Sequence, residues 1–431
     1  MAITDKKTGP WGLDQVYNKI NQGSIWTYRN AEGMYITGGD PWSSGVTAQN
    51  DGAYRSSPVQ VPGEWALEDS IFASGNKITG FEKNVMAIKT DGTLWGWGDN
   101  NKGKLAQNNL TQRSSPVQVP GTTWNVLSLG GNNCEGASCI KTDGTLWVWG
   151  DNNYGMLGQN NTTQRSSPVQ LPGTTWKATI TDGYKTMAFK TDGTLWTWGR
   201  NQYGELGHGD TSNESSPKQV PGTTWGDSFG TWDSSALAVK TDGTLWAWGA
   251  NTNGVLGQNN QTNYSSPKQI PGSWTAISCG SVEVTGGIRT DGTLWVWGSG
   301  TSGVMAEWAG TNYSSPKQIG TGTTWATLTG SKDTNSIFVA TKTDGTLWNW
   351  GNNDNGSAGQ NNTNDGYSSP VQVPGTTWKQ CDRGDNGGVV AVKTDGTLWS
   401  WGNNTNGTLG LNDVVFRSSP TQIPGTTWKY D

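Results

Sequence analysis

Apolar and polar positions recur along the chain in a fixed order. Leu94-Trp95-Gly96-Trp97 alternates at the strand period, so Trp95 and Trp97 share one face and Leu94 and Gly96 the other. Asp91-Gly92, just before it, predicts a tight hairpin with positive φ at both central residues, the type I′ turn. Gly98 ends the strand and a polar loop follows, residues 99–113. Ser114-Ser115-Pro116-Val117-Gln118-Val119-Pro120 is a short strand fenced by prolines, which suits a sheet edge. Gly121-Thr122-Thr123-Trp124 then turns into a strand rich in small residues. One unit therefore predicts four strands: A after Thr-Thr-Trp, B before Asp-Gly, C at Leu-Trp-x-Trp, and D at Ser-Ser-Pro-x-Gln.

The unit repeats. Thr-Asp-Gly-Thr-Leu-Trp-x-Trp-Gly starts at Thr90, Thr142, Thr191, Thr241, Thr290, Thr343 and Thr394, with spacings of 52, 49, 50, 49, 53 and 51 residues. A period near fifty predicts a propeller, solenoid or array. Ser-Ser-Pro occurs eight times, starting at Ser56, Ser114, Ser166, Ser215, Ser265, Ser314, Ser368 and Ser418. The missing hairpin is degenerate: Ile25–Arg29 resembles strand B and Met34–Gly38 strand C, ahead of a full strand D at Ser56–Pro62. The N-terminus thus holds B, C and D, and Thr426-Thr427-Trp428 at the C-terminus supplies the missing A. The expected fold is all-β, a single closed β-propeller of eight four-stranded blades, with one composite blade closed by the two termini. Seven blades, with the N-terminal strands as an appendage, is the alternative. Residues 1–23 form a separate N-terminal segment and 24–431 the propeller.

Trp149–Gly158 (WGDNNYGMLG) and Trp401–Gly410 resemble the signature of regulator-of-chromosome-condensation repeats. The resemblance covers residues 24–431 and implies a β-propeller with blades of this length. It leaves function open, because such propellers serve nucleotide exchange, enzyme inhibition and scaffolding.

Apolar residues make up only 32% of the chain, and 27 tryptophans must fill the core that aliphatics do not. The net charge is −5 with scattered lysines and arginines, which argues against nucleic acid as a partner. No run of eighteen apolar residues exists, so no membrane insertion is expected, and the N-terminus has no apolar stretch of a secretory signal. Cys134, Cys139, Cys279 and Cys381 lack metal spacing, and the only histidine is His208, at a position that is Gln159, Gln258 or Gln360 in other units. The Asp of each Asp-Gly is what the hairpin demands. No catalytic set, metal site or cofactor is expected.

Alternating strand direction puts A–B and C–D loops on one face of the disc and B–C hairpins and D–A links on the other. The second face is nearly the same in every unit. The first holds the variation, which is where binding on a repeat scaffold resides unless the loops simply drift. Candidate binding residues there are Tyr184, Lys185, Trp232, Asp233, Trp308, Lys332, Asp333, Asp382 and Arg383, with Trp232, Tyr184 and Trp308 as sugar platforms. Before each Ser-Ser-Pro stand Arg55, Arg113, Arg165, Glu214, Tyr264, Tyr313, Tyr367 and Arg417, a cationic arc facing an aromatic one, readable as a functional rim or as duplication history. In the N-terminal segment Leu13, Val16, Tyr17 and Ile20 follow helical spacing and predict a short amphipathic helix that caps the channel or docks on another protein. Trp11–Ile20 is similar to N-termini of tailed-phage virion proteins, notably of marine phages. That similarity implies a particle-bound protein, with other virion proteins as partners of the N-terminal segment and a host surface protein or glycan as partner of the loops. A secreted enzyme inhibitor and a guanine-nucleotide-exchange module are the alternatives.

Overall fold

In the computed structural model, the described residues are 34–38, 45–66, 77–81, 83–130, 136–182, 184–232, 234–280, 284–300, 303–305, 310–330, 337–383, 387–425 and 428. They build seven antiparallel four-stranded blades and a two-stranded eighth. Blade 3 is representative: Trp124–Leu129, Gly136–Lys141, Leu146–Gly150 and Arg165–Gln170, hydrogen-bonded in chain order. Blades 5 and 6 merge into one seven-stranded sheet because Tyr264–Gly280 runs without a break as D of one and A of the next. The link there is Pro-Gly-Ser-Trp, where most other units have Pro-Gly-Thr-Thr-Trp. In blade 2, Ala66 N–H donates to Ile88 O, and Ile88 N–H donates to Lys77 O.

Strand A of each blade from 2 to 8 touches strand A of its neighbour, so the A strands surround the axis. The core lies between blades: Met86, Ile88 and Leu94 of blade 2 pack with Trp124, Leu127 and Trp149 of blade 3. The second tryptophan of Leu-Trp-x-Trp is fully buried and reaches backward. Trp97, Trp149, Trp198, Trp248, Trp297, Trp350 and Trp401 each donate Nε1–H to a loop carbonyl of the preceding blade at 2.7–3.0 Å. Blade 1 has Thr37 at this position, and its hydroxyl donates to Thr408 O at 2.8 Å. Eight such bonds run round the ring. Each contributes on the order of 1 kcal/mol and fixes the angle between blades.

The composite blade is closed as its parts suggest. Met34–Gly38 pairs with Arg55–Val61, with Gly38 opposite Arg55 as Gly98 is opposite Arg113. Trp428 meets Tyr35 edge-to-face at 5.3 Å, the counterpart of Trp124 against Trp147 in blade 3. Its N–H bonds to Gly396 O, as Trp124 N–H does to Gly92 O. The two-stranded unit thus sits beside blade 8, to which Thr37 and Ser56 bond. Ile25–Arg29 and the proposed helix of Leu13, Val16, Tyr17 and Ile20 lie outside the described residues.

One expectation is corrected. The Asp-Gly hairpin is not type I′. Gly92 has φ +76° while Asp91 stays out of the left-handed region. Gly92 N–H bonds to Lys89 O and Lys89 N–H to Thr93 O, a type I turn with a glycine bulge. Asp91 is needed for another reason. Its Oδ1 accepts Thr93 N–H at 2.9 Å and Thr93 O–H at 2.6 Å, and Thr93 Oγ1 accepts Trp95 Nε1–H at 2.8 Å. The Trp–Thr–Asp relay recurs in all seven hairpins, as from Trp147 through Thr145 to Asp143.

Candidate functional site

The two faces are held by different chemistry. On the hairpin face every blade repeats one set of contacts. The cation before Thr-Asp-Gly lies between the strand A tryptophan and the first tryptophan of strand C: Lys89, Lys141, Lys190, Lys240, Arg289, Lys342 and Lys393, 3.7–5.2 Å from the ring centres. Hydrogen bonds from the neighbouring threonine hold each hairpin aspartate below the usual carboxylate range. This face is structure, and it is the same structure seven times.

The loop face has a common skeleton with variable decoration. The Asn of Trp-Gly-x-Asn is buried and braces its C–D loop: Asn152 Nδ2 donates to Asn161 O and Thr163 O, and its Oδ1 accepts Leu157 N–H. A left-handed residue then hooks the next blade. Asn50, Asn108, Asn160, Gly209, Asn259, Asn361 and Asn412 donate N–H to the first serine carbonyl of the following Ser-Ser-Pro at 2.6–2.8 Å. Asn412 to Ser56 carries this latch across the termini. The rim residues turn inward, into their own loops. Arg55 pairs with Asp51 at 2.6 Å, Arg417 with Asp413, and Glu214 with Lys218 at 2.6 Å. Lys317 lies over Tyr313 and Lys268 over Tyr264, while Asn362 bonds the Tyr367 hydroxyl. Arg113 and Arg165 are half-buried at the same position. Arg55, Arg417, Tyr264 and Tyr367 thus brace their own C–D loops.

Those contacts fit a repeat family. The family model for the Regulator of chromosome condensation (RCC1) repeat matches residues 91–133, 143–182, 192–225, 242–282 and 395–428. Five stretches of the chain, somewhat under half of it, thus match that repeat. Prp20p from Saccharomyces cerevisiae superposes with a TM-score of 0.60 at 18% identity, over 79% of this chain and 88% of that one. Human WBSCR16 does so at 0.60 and 16% identity, over 77% and 94%. Protein RCC2 homolog of Danio rerio is 36% identical over 78 residues, 18% of this chain and 16% of that protein. The X-linked retinitis pigmentosa GTPase regulator homolog of Caenorhabditis elegans is 30% identical over 109 residues, 23% of this chain and 8% of that protein. The matched stretch thus spans about a sixth or less of these relatives.

On this propeller the candidate residues separate. Tyr184 stands on the loop face between blades 3 and 4. It holds φ +68°, the only aromatic residue in the left-handed region among the described residues. Its ring meets Tyr154 edge-to-face at 5.1 Å, with the Arg200 guanidinium 5.3 Å from its centre. Arg200 Nε donates to Glu205 Oε1 at 3.1 Å and Nη2 to Ser234 Oγ at 3.0 Å. Glu205 is fully buried, and its other oxygen accepts Tyr203 N–H at 2.7 Å. Lys185 is fully buried, which removes it as a surface contact. Asp382 is exposed, and the half-buried Arg383 donates to Ile337 O of the preceding blade at 3.2 Å. The backbone of Trp232 ends strand A of blade 5; Asp233, Trp308, Lys332 and Asp333 lie outside the described residues.

Tyr154 and Tyr203 escaped the sequence reading, although aligning the units exposes them. The residue before the last glycine of Trp-Gly-x-Asn-x-x-Gly is Lys102, Tyr154, Tyr203, Asn253, Ser302, Asn355 and Asn406 in turn. Exposed large apolar side chains also cluster in the C–D loops of blades 8, 1 and 2: Val414, Val415, Phe416, Tyr54 and Leu110. His208 takes the place of a glutamine. Its Nε2 lies 3.2 Å from Lys218 O, as Gln360 Nε2 lies 2.8 Å from Gln372 O, and 2.8 Å from Thr197 Oγ1. Burial, then nearby Lys218, pushes its pKa below the ordinary histidine value. Cys139 and Cys381 are buried free thiols whose pKa burial pushes up to about 12. Among the described residues no group of three or more His, Cys, Asp or Glu could hold a metal ion, and no helix is long and apolar enough to cross a membrane.

Proposed function

We infer that this propeller is a non-enzymatic recognition module: the ring is a mount, and the A–B and C–D loop face carries the binding surface. The observation that carries this reading is the division of labour. One face repeats the same relay and cation sandwich in every described hairpin, whereas the other keeps a braced skeleton and varies its outward residues. Prp20p, similar in fold, is a protein with binding properties to Gsp1p and histones, which supports protein binding as a use of such a ring. In the narrower form of the reading, residues 1–23 attach the protein to a tailed-phage particle and the loop face meets a host surface protein or glycan. That form rests on the Trp11–Ile20 string. A nucleotide-exchange-like role and enzyme inhibition use the same loop face with a different partner.

Site-specific photo-cross-linking tests the reading. A benzophenone side chain at Tyr184 reports on the loop face and one at Thr142 on the hairpin face. With host-envelope extract, adducts from Tyr184 alone are expected. Equal adducts from both positions, or adducts from Thr142 alone, overturn it. Mass spectrometry of purified virions tests the narrower form, which fails if the chain is absent from the particle.

A further inference from the structure

We propose that the loop face holds a subsite for a neutral saccharide in blades 3 and 4, built on Tyr154, Tyr184 and Tyr203. The assignment rests on the loop face being the binding surface and adds the class of ligand. Blades 5 to 8 carry Asn or Ser where blades 3 and 4 carry tyrosines, and these two rings are 39% and 37% exposed. Elsewhere the large exposed apolar side chains belong to blades 8, 1 and 2.

The rings are fixed before any ligand arrives. Tyr184 sits in a conformation that side chains of its kind avoid, held between Tyr154 and the Arg200 guanidinium. Arg200 is held by Glu205 and Ser234, and Glu205 also grips the backbone of Tyr203. The ion pair therefore holds Tyr184 through Arg200, Tyr154 through Tyr184, and the backbone of Tyr203 through Glu205, which reduces the ordering left to be done on binding. Flat aromatic faces match the C–H faces of a pyranose ring. The exposed amides of Asn153 and Gln202, next to Tyr154 and Tyr203, donate to and accept from hydroxyl groups.

Charge selects among ligands. Arg200 and Glu205 compensate one another, and Asp151 is buried with the Asn153 amide bonded to it at 2.8 Å. The exposed groups of the patch, Asn153, Tyr154, Gln202 and Tyr203, are thus all uncharged, which favours a neutral sugar over a sialylated or phosphorylated one.

The full chain is applied to an array of immobilised neutral and acidic glycans. Retention on neutral members is expected. Tyr154→Ala and Tyr203→Ala each weaken it about tenfold. Tyr154→Phe, which keeps the ring, stays within about twofold. Both alanine variants melt like the parent, because the rings are exposed. No retention, retention on acidic glycans alone, or retention that survives the double alanine variant overturns the assignment. A blank array with Tyr184 cross-links intact removes the saccharide and leaves the loop-face reading standing.

Discussion

Removing the indole of Trp428 tests whether the ring is closed by its termini. Trp428 is half-buried and sits edge-to-face on Tyr35 at 5.3 Å. Trp428→Ala withdraws about 130 Å² of aromatic contact, or about 3 kcal/mol at ~25 cal/mol/Å². The lost ring pair adds about 1 kcal/mol. Residual contact in the unfolded chain reduces the total, to about 3 kcal/mol. For a chain of 431 residues the unfolding entropy is about 0.9 kcal/mol per kelvin, so Tm falls by about 3 °C in calorimetry. Trp378→Ala, at the same position in blade 8, is the control: that indole is only 2% exposed and touches Trp399 and Trp401. It costs about 4 kcal/mol. If Trp378→Ala lowers Tm and Trp428→Ala leaves it within about 1 °C, blade 1 is an appendage and the closure argument is wrong.

Other outcomes follow from the same contacts. The seven hairpin aspartates have folded pKa values below their unfolded ones, so their contribution is present above the unfolded pKa and lost as pH falls through the folded value. Tm should be flat from neutral pH to about pH 5 and drop steeply below about pH 4; a gradual decline beginning near pH 6 would point to other groups. Lys342→Arg should be neutral in thermal melts because Arg289 fills this role in blade 6, whereas Lys342→Met should cost about 1 kcal/mol. Equal loss from both would show that the cation–ring contact is not what stabilises. His208→Gln should melt like the parent and His208→Ala should lose about 1 kcal/mol; a large loss with glutamine would contradict its reading as a loop brace.

The strands were legible because their signals are local. Leu-Trp-x-Trp alternation, Asp-Gly and the proline-fenced Ser-Ser-Pro mark C, the hairpin and D within a few residues each. The composite blade was legible by counting: eight Ser-Ser-Pro, seven hairpins and an unpaired Thr-Thr-Trp at the end. Contacts between blades were not. Nothing local says that Trp401 bonds to Ser357, 44 residues back, or that Lys393 lies between Trp378 and Trp399. Those depend on the inter-blade angle, which the buried tryptophans themselves set. The contacts of the rim were not legible either: Arg55 pairs with Asp51 of its own loop, and Tyr313 lies under Lys317 of its own strand. On the loop face, Tyr184 was visible as a variant residue. Strand pairing within blade 4 brings Arg200 and Glu205 beside it, but Tyr154 belongs to blade 3, and only the ring brings that contact together.

The central claim is that the hairpin face serves stability, whereas the outward residues of the loop face carry recognition. Two variants of similar size measure it directly: Asp143→Asn with Asp192→Asn and Asp242→Asn on the hairpin face, and Tyr154→Ala with Tyr203→Ala on the loop face. Each is assayed for Tm and for retention on the ligand found by the array or the cross-link. The hairpin variant should lose Tm and keep binding, and the loop variant should keep Tm and lose binding. A hairpin variant that abolishes binding while melting normally, beside a loop variant that binds like the parent, would contradict the account.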